Sequence, residues 1–131
     1  MDAKVRIESI HGDDEPIVEE YSGTWDTADG REYIRYKAGD MLTVKPDEVI
    51  IDETGQIRAH IVLCPDGEIR TTAFETPYGV LEFDMDTHYL RMVKMPGRLV
   101  IETGYSLMAQ GEVVNQVEMT ITVVQDAADD Q

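Results

Sequence analysis

The sequence predicts an all-β protein, a single antiparallel up-and-down β-barrel of about eight to ten short strands. Three observations point there. Hydrophobicity alternates with a period of two along most of the chain. Turn signals recur at nearly regular intervals. No segment holds apolar residues at the i, i+3, i+4, i+7 spacing of an amphipathic helix over successive turns.

The turn signals set the strand count. They are Gly12-Asp13-Asp14, Asp29-Gly30, Gly39-Asp40, Pro46-Asp47, Thr54-Gly55, Asp66-Gly67, Pro96-Gly97 and Gln110-Gly111. Most gaps between them are near the roughly 8–12 residues expected of short strands joined by hairpins. Asp-Gly suits a tight hairpin because the left-handed backbone of the turn costs Gly nothing and Asp little.

Between the turns each strand has a dry and a wet face. In "KVRIESI" Val5 and Ile7 oppose Arg6 and Glu8. In "REYIRYK" Ile34 and Tyr36 oppose Tyr33 and Arg35. In "GRLVIETGYSL" Leu99, Ile101, Thr103, Tyr105 and Leu107 alternate with Val100, Glu102, Gly104 and Ser106. In "VNQVEMTITVV" Val117, Met119, Ile121 and Val123 share one face. One dry face per strand means antiparallel strands around a shared interior, and closure removes unpaired edges.

The composition bounds the rest. The chain has 131 residues, a length suited to one domain with its own core. Val, Ile, Thr and Tyr are common, as suits pleated strands. We expect the barrel domain over residues 1–124 and a disordered acidic tail over 125–131, "QDAADDQ". Acidic residues number 27 against 11 basic, a formal net charge of -16. That balance argues against nucleic acid, whose phosphates need clustered Lys and Arg. It also argues against anionic membrane surfaces. It favours solubility, and it would suit a basic protein partner or a high-salt habitat. The single cysteine, Cys64, permits no internal disulfide and suits a reducing compartment. The N-terminal "MDAKVRIESI" has no signal-peptide pattern, and no apolar run approaches the roughly 18 residues of a membrane span. The expectation is a soluble cytoplasmic protein, monomeric or homodimeric.

Several stretches invite a chemical reading. In "VLEFDMDTHYL" alternation puts Leu81, Phe83, Met85 and Thr87 on one face and Glu82, Asp84, Asp86 and His88 on the other. Asp84 and Asp86 then face solvent, without the α/β strand end and helix terminus that a phosphate site uses. His11, His60 and His88 have no metal-ligand spacing. "HGDDEP" lacks the alternating oxygen ligands of a calcium loop. Cys64 sits among apolar and acidic neighbours, which raise a thiol pKa and favour inertness. No catalytic constellation, metal site or cofactor is expected.

The interior is more informative. Met85, Met92, Met108 and Met119, with Tyr36, Phe83 and Tyr105, are expected inside. Met adapts to irregular shapes, and Tyr offers an apolar body with a polar tip. The residues expected to line a ligand cavity are Tyr36, Phe83, Met85, Thr87, Tyr105 and Met119, with the hydroxyls of Tyr36, Thr87 and Tyr105 orienting the ligand. Trp25, beside Asp29-Gly30, is expected at a barrel rim.

Five stretches also carry a resemblance. They are "SGTWDTADGREYIRY", "DEVIIDETG", "FETPYGVLEFDMDTHYL", "GRLVIETGYSL" and "VEMTITV". In order and spacing the chain resembles the YwiB-like family of uncharacterised bacterial proteins, a domain of unknown function. The most specific piece is the aromatic-Gly strand at Tyr78-Gly79 followed by "LEFDMDT". One departure is Glu53-Thr54-Gly55, where the family carries an Arg shortly before the Gly. The resemblance implies a calycin-type, lipocalin-like barrel and imports no activity and no site residues. The expected function is non-enzymatic: binding of a small, largely apolar molecule inside the barrel. The alternative is an acidic protein-interaction module or homodimer with a packed, ligand-free barrel.

Overall fold

The structure, a computed structural model, describes residues 1–126, apart from the side chain of residue 38. Ten strands follow one another: β1 (Asp2–His11), β2 (Ile17–Ala28), β3 (Arg31–Tyr36), β4 (Asp40–Val44), β5 (Val49–Thr54), β6 (Arg58–Leu63), β7 (Ile69–Thr76), β8 (Gly79–Met95), β9 (Arg98–Ala109) and β10 (Glu112–Gln125). Each pairs antiparallel with the next, and β10 pairs back onto β1, so the sheet closes as an up-and-down barrel. The one helical element among the described residues is a 3-10 turn, Lys37–Gly39. Gln125 and Asp126 still bond to the barrel through Gly97 and Asp2. The rest of the expected acidic tail, residues 127–131, lies outside the described residues.

All eight sequence-read turns fall between strands. A ninth, Pro77-Tyr78, splits the stretch that the sequence presented as one aromatic-Gly strand. It has no Asp-Gly pair. Instead, the Thr76 hydroxyl donates to the Gly79 carbonyl (2.8 Å) and accepts from the Tyr78 amide (3.1 Å). Gly79 takes a positive φ of 134° and Tyr78 stands 99% exposed.

The hairpin turns divide between two ends. Those joining β1–β2, β3–β4, β5–β6, β7–β8 and β9–β10 form what we call the open end. The other turns and the N-terminus form the closed end. The closed half is filled by Ile34, Leu42, Val49, Leu63, Leu99 and Val123, all essentially inaccessible. A polar group seals it. Glu32, only 7% exposed, accepts hydrogen bonds from Trp25 Nε1 (2.8 Å), Thr27 Oγ1 (2.7 Å) and Lys94 Nζ (2.9 Å). Desolvation pushes the Glu32 pKa up, but the bonds from Thr27, Lys94 and Trp25 outweigh it and hold the carboxyl below its usual value. Trp25 is therefore part of the floor, deeper than a rim residue.

The alternation read from the sequence holds, with one phase change in β8 and another at Val114 in β10. Met85 and Thr87 are buried and Asp84 is exposed, but pairing with β9 shifts between Thr87 and Tyr89. Beyond this bulge at His88 the even positions turn inward, and Leu90 and Met92 pack on the core. Met108 departs from expectation. Leu107 packs on the core, so the next residue points outward, where Met108 pairs with Asp84 and Val113. The ring is uneven: β1 and β10 share a long register, whereas β6 and β7 pair only at Arg58–Glu75 and Ala59–Phe74.

Two glycines permit close approaches. A Cβ on Gly23 would lie 2.0 Å from the Arg35 carbonyl oxygen, so β2 crosses β3 with no room for a side chain. A Cβ on Gly104 would meet the Tyr89 ring at 2.5 Å. A backbone carbonyl cannot move aside, whereas a ring can swing. Gly23→Ala should therefore cost about 1–3 kcal/mol or more by overpacking, and Gly104→Ala distinctly less, in urea unfolding. Equal costs would mean the backbone crossing at Gly23 is not tight.

Candidate functional site

The open half of the barrel is not filled. A cavity of about 250 Å³ lies inside it, lined by side chains from every strand except β4 and β8. Its walls include Ile7, Ile51, Ile61, Phe74, Leu107 and Met119. Polar groups converge on it as well: Ser9, Tyr36, Glu53 and Tyr105 inside, and His11, Glu19 and Asn115 toward the turns. The volume is just below the roughly 300 Å³ at which pockets for drug-sized ligands begin, so it suits a small molecule.

Tyr36, Tyr105 and Met119 line this space. Phe83, Met85 and Thr87 share their inward parity but not their level. Phe83 packs edge-on against Phe74, with centroids 5.7 Å apart, and it is Phe74 that reaches the cavity. Met85 is 2% exposed within the packed core. The Thr87 hydroxyl accepts from the Cys64 amide (3.3 Å), tying β8 to the end of β6. Of the six residues, three line the cavity and three do not.

Sequence reasoning passed over Ser9, Glu53, Ile61 and Phe74. The signal was present. Glu53 shares the face of Val49 and Ile51, and Ser9 that of Val5 and Ile7. A carboxylate or hydroxyl on the dry parity of a strand marks a cavity or a polar network.

Among the described residues no fully buried side-chain polar atom lacks a partner, so a hydroxyl without one borders accessible space. Tyr36 is 6% and Tyr105 7% exposed, yet neither hydroxyl takes part in a side-chain hydrogen bond among the described residues. Burial raises the Tyr36 pKa, with further upward pressure from the charges of Asp40 and Glu53. Burial, then the Glu53 charge, pushes Tyr105 up to about 12. Both phenols stay protonated at neutral pH and can donate as well as accept. Glu53 is itself raised above the usual carboxylate range, chiefly by desolvation and then by Asp40, while Lys37 opposes the rise. Asp40 is buried and accepts from the Thr54 amide (2.9 Å) and hydroxyl (3.2 Å). Tyr21 donates to Glu19 (2.6 Å), and this bond is the main reason its pKa is pushed up to about 12. Tyr21 also packs on Tyr36 at 5.7 Å.

The other candidates remain dispersed. Asp84 is exposed and accepts from Thr71 (3.0 Å). His60 pairs with Asp52, and His11 lies 3.4 Å from the Asn115 amide. Among the described residues no three His, Cys, Asp or Glu side chains cluster for a metal. The Cys64 thiol pKa is raised, first by desolvation and next by Asp66. His88 Nε2 does approach Ser106 Oγ at 2.6 Å. Ser106 is 3% exposed, so a substrate could not reach its hydroxyl, and no carboxylate orients the imidazole among the described residues.

Comparison with known proteins places the chain. A family described as a domain of unknown function, DUF1934, matches residues 4–121. The chain belongs to this family. Among solved structures, that of the ywiB protein from Bacillus subtilis superposes with a TM-score of 0.80. The two are 18% identical, with 96% of this chain and 92% of that one covered. At that identity the likeness establishes the fold, the closed barrel seen here. No curated protein sequence matches the chain.

The charge on Glu53 has a consequence for stability. Its folded pKa lies above its unfolded one, so ionisation favours the unfolded chain. That cost is fully present above the folded pKa and vanishes below the unfolded value near about 4. Glu53→Gln should therefore stabilise the barrel at pH 7 and give no gain below about pH 4 in urea unfolding. A loss of stability at pH 7 would mean that the carboxylate is structurally compensated.

Proposed function

We propose that this protein is a non-enzymatic binding protein that holds one small, largely apolar molecule in the cavity at the open end. The observation that carries this reading is the combination of an apolar space inside a closed barrel with two phenols, Tyr36 and Tyr105, that line it and have no hydrogen-bond partner for their hydroxyls among the described residues. Hydroxyls that border an open space bond to whatever fills it, and a ligand that pairs with both gains over one that leaves them bare. The apolar walls would give affinity and the phenols orientation. No reacting pair with an accessible nucleophile stands among the described residues, which favours binding over catalysis.

A second reading, a protein-interaction module or homodimer, is favoured by one separate feature. Ile57 from the β5–β6 turn and Tyr78, Val80 and Leu81 from the β7–β8 hairpin form an exposed apolar patch, against a strongly acidic surface. Salt separates an electrostatic partner from an apolar one, because only the former weakens as charges are screened.

The binding reading is checked by native mass spectrometry of freshly purified protein, followed by a thermal-shift screen of small apolar compounds. We expect an added mass or a shift of several degrees, consistent with stabilisation of about 2.7 kcal/mol at a hundredfold excess over Kd. Ser9→Phe, which fills the cavity, should abolish both. A shift that persists in Ser9→Phe, or a wild-type protein indifferent to every compound, would count against an interior site.

A further inference from the structure

We infer that the cavity ligand carries a protonated amine, held by the Glu53 carboxylate between the Tyr36 and Tyr105 phenols. This inference rests on the binding reading above and names the chemistry of the ligand's head.

The cavity lining contains two carboxylates, Glu19 and Glu53, and no Lys or Arg. Glu19 is already engaged by the Tyr21 hydroxyl. Glu53 has no side-chain hydrogen bond among the described residues, although it lies on the inward parity of β5 beside the buried Ile51. The cation whose charge acts on it, Lys37, lies 5.8 Å from the Tyr21 ring centroid and makes no hydrogen bond to Glu53 among the described residues. Within the cavity, Glu53 is a free acceptor.

The acidic pair alone would mean little. The phenols add the independent sign of a ligand: both residues are more than nine-tenths buried, both line the same cavity, and neither hydroxyl has a protein partner among the described residues. The Glu53 charge acts on both of them, so the three groups share one region. An ammonium group presents three donors and no acceptor. Glu53 and the two phenol oxygens offer acceptors, and the aromatic faces favour a cation. An anionic head, such as a fatty-acid carboxylate, would meet uncompensated negative charge there. The net charge of -16 acts in the same direction at longer range, drawing cations to the barrel and repelling anions. Ile7, Ile61 and Phe74 leave room for a short hydrocarbon body behind the head.

Three ligands of equal chain and different heads test this: hexylamine, hexan-1-ol and hexanoate. Binding to the full chain is measured by calorimetry at pH 7.5 and 0.15 M salt, where surface attraction is largely screened. We expect hexylamine to bind at least about tenfold tighter than hexan-1-ol, and hexanoate to bind more weakly than the alcohol. Glu53→Gln should bring the amine to within about threefold of the alcohol, both measured on the same variant. Tyr105→Phe, which keeps the ring, should weaken the amine by about threefold or more and supports the assignment should Glu53→Gln fail to fold. Equal binding of amine and alcohol, or tighter binding of hexanoate, overturns the amine assignment and leaves the cavity as a site for neutral apolar molecules. Amine binding that survives undiminished in Ser9→Phe lies on the surface and also overturns it. Failure of all three ligands to bind overturns the amine assignment and the interior site together.

Discussion

Closure of the sheet between β1 and β10 is the constraint on which the rest of the structure depends. It leaves the inward side chains of ten strands one shared volume to fill. Barrel diameter grows with strand number, and about eight strands already give an interior that side chains only just fill. The molecule meets the excess unequally at its two ends. Trp25, the Glu32 hydrogen-bond group and a layer of branched aliphatics close one end. At the other, Ser9, Tyr36 and Tyr105 line a space left unfilled.

Two inward carboxylates, Glu32 buried and Glu53 half-buried, show how differently one barrel can treat the same group. Glu32 collects three donors, and its charge is supported where it stands. Glu53 collects none among the described residues, and its charge is opposed by burial and by Asp40. The first has the surroundings of a structural residue. The second has those of a group whose partner comes from elsewhere, and residues of that kind are where proteins commonly give up stability for function.

How much of this was legible depends on which physical signal each feature sends. Turns made by backbone preference, such as Asp29-Gly30 and Asp66-Gly67, announce themselves because glycine is the cheap residue at positive φ. The Pro77-Tyr78 turn is held by the Thr76 side chain, a local bond that no dipeptide rule reports. Parity was legible almost everywhere, since alternation is set by the pleat. It failed to foretell Leu90 because the His88 bulge leaves no mark in the run "DTHYL". Height along the barrel axis was not legible at all. Tyr36, Met85 and Thr87 share a parity, but the stagger between strands decides which of them meets the cavity, and stagger is fixed by pairing across the whole ring. Glu53 was visible as an acid on a dry face, and only the empty space before it gives that position meaning.

The thin pairing of β6 with β7 gives the ring an unequal resistance to motion. Where β1 and β10 hold together through nine paired positions, these neighbours hold through two. Local opening is governed by the bonds that must break, so thermal breathing concentrates at this seam while the opposite wall stays intact. Phe74 sits at one of the two pairs and also forms part of the cavity wall. The amides of β6 should therefore exchange with solvent on a faster clock than those of β1. Passage into the interior through the side of the barrel would be timed by that clock, independently of the width of its mouth.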